Sequence, residues 1–261
     1  MLRGVGLTRK RARERLDERL LREGLADTRS RAQGLIRAGV VLVDDVPVDK
    51  PGTPVAESCT LRLRGEPRRY VSRGGDKLAG ALIDLQLEPE GLCCLDVGAS
   101  SGGFTDCLLQ AGAVHVTAVD VGYGQLDLRL RDDPRVTVLE RRNARTLEAS
   151  ELPHPPELVV VDVSFISLTL ILPRIAAIAP AAELVVLVKP QFEVGRAQVG
   201  KGGVVRDDAL RAQAVERVAG CARELGYGVS PPVDSRLAGP KGNREIFLRL
   251  SRAGVQDPAE P

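Results

Sequence analysis

The sequence predicts an α/β protein: a doubly wound, mostly parallel sheet preceded by a small α+β module. Three observations carry this reading. From residue 75 onward, short runs rich in Val, Leu and Ile alternate with segments of helical periodicity, the pattern of a parallel sheet covered by helices on both faces. Charge divides the chain, because residues 1–70 hold 16 Lys+Arg against 10 Asp+Glu and the rest holds 21 against 25. An apolar run ends in the glycine-rich turn L-D-V-G-A-S-S-G-G-F at 95–104, and an acidic residue, Asp120, follows 22 positions after Gly98. A length of 261 residues accommodates one medium domain and one small one.

Composition narrows the class. The chain has no Trp, four Phe and three Tyr, so its core must be aliphatic. Five cysteines, an odd number without any C-x-x-C, read as buried reduced thiols of a cytoplasmic protein. They do not read as a disulfide framework or a zinc site. The start, M-L-R-G-V-G-L-T-R-K, lacks the apolar centre of a signal peptide. The most apolar region, 158–188, is interrupted by Asp162, Pro173, Arg174 and Glu183. No uncharged run reaches the roughly 18 residues of a membrane span. We therefore expect a monomer with no membrane partner and no metal.

In the first module, residues 14–23 place Leu16, Leu20 and Leu21 on one helical stripe that Gly24 ends. A second helix, 28–38, capped by Asp27 or Thr28, turns Ala32, Leu35 and Ile36 inward and ends at Gly39. V-V-L-V-D-D-V-P-V (40–48) reads as strand, tight turn, strand. Arg29, Arg31 and Arg37 lie off the apolar face of the second helix, a basic ridge suited to phosphates. Residues 1–69 contain no Phe, Tyr, Trp or His. That excludes modules that stack bases on aromatic rings and leaves recognition by charge and shape.

In the larger module the periodicity predicts helices over 76–87, 102–111, 125–131, 168–178 and 207–225. It predicts strands over 92–97, 115–120, 136–139, 158–162, 184–188 and 246–250, the last antiparallel. Residues 190–206 are too glycine-rich for a helix and read as a mobile rim, with Arg196 and Lys201 as candidate phosphate contacts. The tail from 253 is too polar and Pro-rich to pack. The domain reading is 10–66, a linker over 67–74, a sheet domain over 75–252 and a disordered tail over 253–261.

Ligands of such sheets sit at the carboxyl ends of the strands. The turn at 98–103 follows the first strand and opens a helix, so small residues let a ligand approach the backbone. Asp120 ends the second strand, where a carboxylate can accept both hydroxyls of a ribose. Asn143 follows the third and borders the base. The turn lacks the G-x-G-x-x-G spacing of dinucleotide sites, and there is no Walker-type G-K-[ST]. Its D-x-G-x-x-x-G-G pattern suits S-adenosylmethionine (SAM), which has no pyrophosphate to cradle. The same edge should collect four charges: Asp162 and Lys189 at strand ends, Glu245 before the antiparallel strand, and Lys77 at a helix start.

The stretches S-R-G-G-D-K-L, D-V-G-A-S-S-G-G-F-T, D-V-G-Y-G-Q-L, D-V-S-F-I-S-L, L-V-K-P-Q-F-E-V-G and N-R-E-I-F-L resemble the TlyA (haemolysin A) family of ribosomal RNA 2′-O-methyltransferases. Residues 13–64 resemble an S4-type RNA-binding domain. The resemblance runs from about residue 13 to about residue 250. It implies a Rossmann-like class I SAM-dependent methyltransferase sheet of the FtsJ type and methylation of cytidine 2′-hydroxyls in ribosomal RNA. The family's Lys-Asp-Lys-Glu tetrad falls on Lys77, Asp162, Lys189 and Glu245. Its SAM site falls on Gly98, Ala99, Ser100, Ser101, Gly102, Gly103, Phe104, Asp120, Val121 and Asn143. The S4-type likeness implies phosphate contacts at Arg29, Arg31, Arg37 and Lys50.

Ser101 and Arg142 stand where the family usually has threonine. The family's dual-specificity subgroup tends to carry a longer C-terminal helix. A chain that stops soon after Leu250 leans toward 23S ribosomal RNA as target, with 16S the further possibility. Two rival classes are a non-catalytic ribosome-binding or assembly factor and a pore-forming haemolysin. In the methyltransferase reading Lys189 is the general base or steers the hydroxyl, and a lysine acts as a base only when neutral.

Overall fold

The structure, a computed structural model, describes residues 13–64, 69–239 and 242–252. The chain divides into two units, Met1–Pro67 and Arg68–Pro261. The tail from 253, residues 67 and 68 of the expected linker, and residues 10–12 lie outside the described residues.

The first unit runs β1 (Arg13–Arg15), α1 (Leu16–Arg22), α2 (Arg29–Arg37), β2 (Val41–Val43), β3 (Val46–Pro47), β4 (Pro54–Ala56) and β5 (Leu61–Leu63). Its core is aliphatic, formed by Leu16, Leu20, Ala32, Ile36, Val41, Val55 and Leu61. The expected first helix loses its opening residues to a strand. Arg13–Arg15 pair antiparallel with Pro54–Ala56, whose ladder satisfies backbone groups that a helix start would leave open. Thr28 caps α2 by accepting from the Arg31 N–H. The β2–β3 turn is built by Asp44 and Asp45, both at positive φ (49° and 68°), which matches the twist of a two-residue hairpin.

One carboxylate fastens the two helices. Asp17 is fully buried. It accepts from Arg15 at 2.9 and 3.0 Å, Arg29 at 3.2 Å and Gln33 at 3.0 Å. Hydrogen bonding by Arg15 outweighs burial and holds the Asp17 carboxyl well below the usual range.

The second unit adds α3 (Arg73–Asp84), β6 (Cys93–Val97), α4 (Gly103–Gln110), β7 (His115–Asp120), α5 (Leu128–Arg131), β8 (Val136–Glu140) and β9 (Leu158–Val161). It continues with α6 (Leu172–Ile178), β10 (Glu183–Val188), α7 (Pro190–Glu193), α8 (Asp208–Glu224), β11 (Tyr227–Val229), β12 (Val233–Asp234) and β13 (Ile246–Arg252). The strand order is β11-β13-β10-β9-β6-β7-β8, with β12 also pairing β13. Strands β8, β7, β6, β9 and β10 are parallel and β13 is antiparallel to β10. Alternate residues feed two cores. Leu95, Val97, Val159, Val161, Val186 and Val188 face one side, and Cys94, Val116, Leu158, Val160, Val185 and Leu187 the other. Burial on both faces is why these strands read as continuous apolar runs. The order reverses at β6, which neighbours both β7 and β9, so a crevice opens at the carboxyl ends of β6 and β9.

Several boundaries differ from the sequence reading. α3 starts at Arg73, inside the stretch read as linker, because Ser72 caps it by accepting from Gly74 N–H. α5 spans only Leu128–Arg131, capped by Asp127. Residues 168–178 split into a 3-10 turn, Leu168–Leu170, and α6, since Pro173 fits only the first turn of a helix. The 190–206 segment is helical in part: α7 opens it and a 3-10 turn follows at Arg196–Gln198. It is also fastened. Buried Asn243 donates to the Gly203 carbonyl and accepts from Val205 N–H. All five cysteines are free, Cys59, Cys94 and Cys107 buried.

Asp96 sits inside the sheet, fully buried. One oxygen accepts from Thr105 Oγ1 at 2.7 Å and the other has no hydrogen-bond partner. Burial pushes its carboxyl up to about 7.

Two predictions follow from these carboxyls. Asp17→Ala should destabilise the first unit by about 1–3 kcal/mol, the low end because Arg15 and Arg29 are half exposed and screened by water. Faster hydrogen exchange of α1 and α2 amides would read it out. Because the folded carboxyl is depressed, wild-type protection should be full above the ordinary Asp range and fall as pH drops through it. Asp96 has the opposite sign. Folded Asp96 keeps a proton that the unfolded chain releases near 3.8, so stability falls as pH rises from there to about 7. Ionising it costs at most about 4 kcal/mol. Asp96→Asn should flatten thermal stability between pH 5 and pH 8, measured by scanning calorimetry.

Candidate active site

The turn after β6 is built by conformations that few residues accept. Gly98 and Gly102 have φ of 92° and 93°, a region that disfavours a Cβ. A Cβ on Gly98 would lie 2.4 Å from the Asp162 carbonyl oxygen, and one on Gly103 2.2 Å from Ser72 Oγ. The turn is therefore wedged between the end of β9 and the start of α3. Gly102 faces the other way, toward Leu126 and Leu130. Asp120 fixes the turn from the next strand. Its Oδ2 accepts from Ser100 N–H at 2.8 Å and its Oδ1 from Gly122 N–H at 2.6 Å. Each carboxylate oxygen has a second lone pair to offer a ligand.

A cavity of about 180 Å³ lies against this turn. Its walls include Ser72, Gly74, Lys77, Gly98, Ala99, Ser100, Ser101, Gly103, Phe104 and Asp162. Strand register explains why charges gather here. Val188 pairs with Ile246, so Lys189 and Glu245, one residue further on each strand, emerge side by side. Val161 of β9 pairs with Val97 of β6 and Val186 of β10, so Asp162 leaves the sheet at the same edge. Lys77 arrives on the second turn of α3.

The charges form two pairs. Lys77 Nζ donates to Glu245 Oε2 at 2.6 Å, both groups buried. Lys189 Nζ lies 2.5 Å from Asp162 Oδ1 and gives its aligned hydrogen bond to Ser164 Oγ at 2.9 Å. Lys77 and Asp162 both border the cavity, and Glu245 and Lys189 reach it through them.

Sequence reasoning missed the frame around Lys189. Glu193, buried, accepts from Ser167 Oγ at 2.6 Å and Leu168 N–H at 2.8 Å. Burial raises its carboxyl. Phe192 and Phe165 pack with ring centroids 5.2 Å apart. Phe165 has φ of 66° and is 91% exposed. These residues stand inside D-V-S-F-I-S-L and K-P-Q-F-E, but no pattern in either stretch separates a rim aromatic from a core one. Asp96, beneath the turn, carried a signal: a carboxylate inside an apolar strand.

Other expected residues fall elsewhere. The Val121 side chain is 70% exposed and borders no part of the cavity. Asn143 is exposed and caps the 3-10 turn Ala144–Thr146 by accepting from Arg145 N–H. Its neighbour Arg142 turns away to pair with Glu151. Arg31, Arg37, Lys50, Arg196 and Lys201 are exposed. Arg29 is exposed too, with its guanidinium paired to Asp17 and Glu18.

Comparison with known proteins identifies the two domains. The FtsJ-like methyltransferase family model matches residues 70–252, and the S4 domain model matches residues 14–58. The chain is 51% identical over 255 residues to the 16S/23S rRNA (cytidine-2′-O)-methyltransferase TlyA of Mycobacterium tuberculosis, covering 94% of this chain and 95% of that one. It is 41% identical to Hemolysin A of Brachyspira hyodysenteriae, covering 90% of this chain and 99% of that protein. A solved putative hemolysin from Streptococcus thermophilus superposes with a TM-score of 0.73 at 41% identity, covering 94% of this chain and 90% of that one. Among the described residues no helix is long and apolar enough to cross a membrane. The chain belongs to the TlyA family, an S4 domain followed by an FtsJ-like methyltransferase domain.

Proposed function

We propose that the protein transfers the methyl group of SAM to the 2′-hydroxyl of a cytidine in ribosomal RNA, with 23S rRNA as the first target. The observation that carries the reading is the meeting of two lysine–carboxylate pairs at a cavity floored by the glycine turn. SAM supplies a methyl group on a positively charged sulfur. The residues present fit it. The turn from Gly98 to Phe104 lines the cavity with small residues, Asp120 has lone pairs to accept ribose hydroxyls, and no cationic phosphate clamp is needed.

The acceptor side follows from the charges. A ribose hydroxyl is a weak nucleophile, so holding its oxygen in line supplies much of the rate. Lys189, beside Asp162, is the group that receives or steers the hydroxyl proton. Lys77, held by Glu245, fixes the opposite wall. Phe165 presents an open ring at the rim, a surface on which a base can stack. Arg31, Arg37, Lys50, Arg196 and Lys201 are exposed cations for RNA phosphates.

A second reading adds 16S rRNA as target. The 51% identity over nearly the whole chain to a relative named for both RNAs favours it. Mapping 2′-O-methyls on both RNAs after incubation with the protein and SAM separates the two readings. Absence of any new methyl would overturn the enzyme assignment and favour a ribosome-binding factor.

Lys189→Ala should reduce transfer by at least a hundredfold while SAM affinity by calorimetry stays within about threefold. Turnover near wild type would refute its role. Gly98→Ala should instead abolish SAM binding, because its Cβ would meet the Asp162 carbonyl at 2.4 Å; an unchanged SAM affinity would count against the turn as the cofactor cradle.

A further inference from the structure

We propose that Ser164 is a positioning residue for Lys189, fixing the direction in which the ammonium or amine meets the substrate hydroxyl. The inference rests on the reading of Lys189 given above.

Lysine carries a compact group on a flexible four-carbon stem and imposes little geometry of its own. Its two neighbours here do different things. Asp162 Oδ1 stands 2.5 Å away and supplies the counter-charge. Ser164 Oγ, two residues further along the same loop, accepts the aligned hydrogen bond at 2.9 Å, and hydrogen bonds weaken steeply off axis. Cε and these two oxygens, at 2.5 and 2.9 Å, narrow the directions left to the nitrogen for a substrate oxygen.

The loop that carries Ser164 is held for this purpose. Phe165, the next residue, takes a φ of 66° that phenylalanine rarely adopts. The chain stays there because three contacts tie the loop to α7, which begins directly after Lys189. Phe165 packs on Phe192, and Glu193 accepts from Ser167 Oγ and Leu168 N–H. The loop bearing the acceptor and the segment bearing the lysine thus form one frame. Lateral slack in Nζ would be felt as lost in-line geometry rather than lost binding.

The test uses the full chain with SAM and the ribosomal RNA found to be methylated. Ser164→Ala should lower kcat about tenfold, because a water can only partly replace an exposed hydroxyl. KM for SAM and for RNA should change less than about twofold, since no binding contact is lost. Ser164→Thr keeps the hydroxyl and should restore most of the rate. Ser164 is exposed, so melting temperatures of both variants should match the wild type. A wild-type kcat in Ser164→Ala, a loss confined to KM, or equal loss in Ser164→Thr would overturn the proposal. Lys189→Ala run alongside separates the two ideas. If that variant is inactive and Ser164→Ala is unimpaired, only the role of Ser164 falls. If Lys189→Ala turns over normally, the reading of Lys189 falls and this inference with it.

Discussion

Two ammonium groups set into one edge of a folded sheet cannot remain there without carboxylates. Removing such a charge from water costs several kcal/mol, and a well-placed counter-ion offsets most of that. Lys77 and Lys189 are both nearly buried, and each has one carboxylate within 2.6 Å. Much of the architecture serves to deliver those partners. Glu245 comes from a strand that runs against its neighbours, so its first residue lands where theirs end. Asp162 directly follows β9, the neighbour of β6 across the point where the order reverses.

The same edge has a second requirement, that backbone be exposed to a ligand. Small residues of the turn line the cavity, and the glycines at 98 and 103 let three elements converge behind it. The end of β6, the end of β9 and the first turn of α3 approach more closely than any Cβ would allow. The glycine turn and the paired charges therefore share walls. Lys77 and Asp162 belong to both, so in the proposed reaction the place of the donor is tied to the place of the acceptor.

How much of this could be read from the chain depended on the kind of signal. The parallel sheet was legible because burial on both faces leaves unbroken apolar runs such as L-V-V-V and L-V-V-L-V. The glycine turn and the carboxylate after the second strand were legible by spacing. Short elements were not. β11, β12 and β4 are two or three residues long, too short for a period to register. The first turn of α3 escaped because its cap, Ser72, lies in a stretch without hydrophobic rhythm. The pairing of Arg29 with Asp17 was not legible for a different reason: Asp17 lies on another helix, and propensity says nothing about pairing between helices. Phe165 and Glu193 depend on exposure and on contacts across a loop, neither of which leaves a pattern in one sequence.

The antiparallel placement of β13 has a consequence in time. During synthesis the S4 unit emerges first and can fold while the methyltransferase half is still being made. The fourth charge of the centre emerges 168 positions after the first, on the strand that is last among the described residues. A nascent chain that has not yet released that strand holds Lys77 without its counter-ion. Competence to grip RNA thus precedes competence to act on it, and a partly translated copy could occupy RNA without marking it.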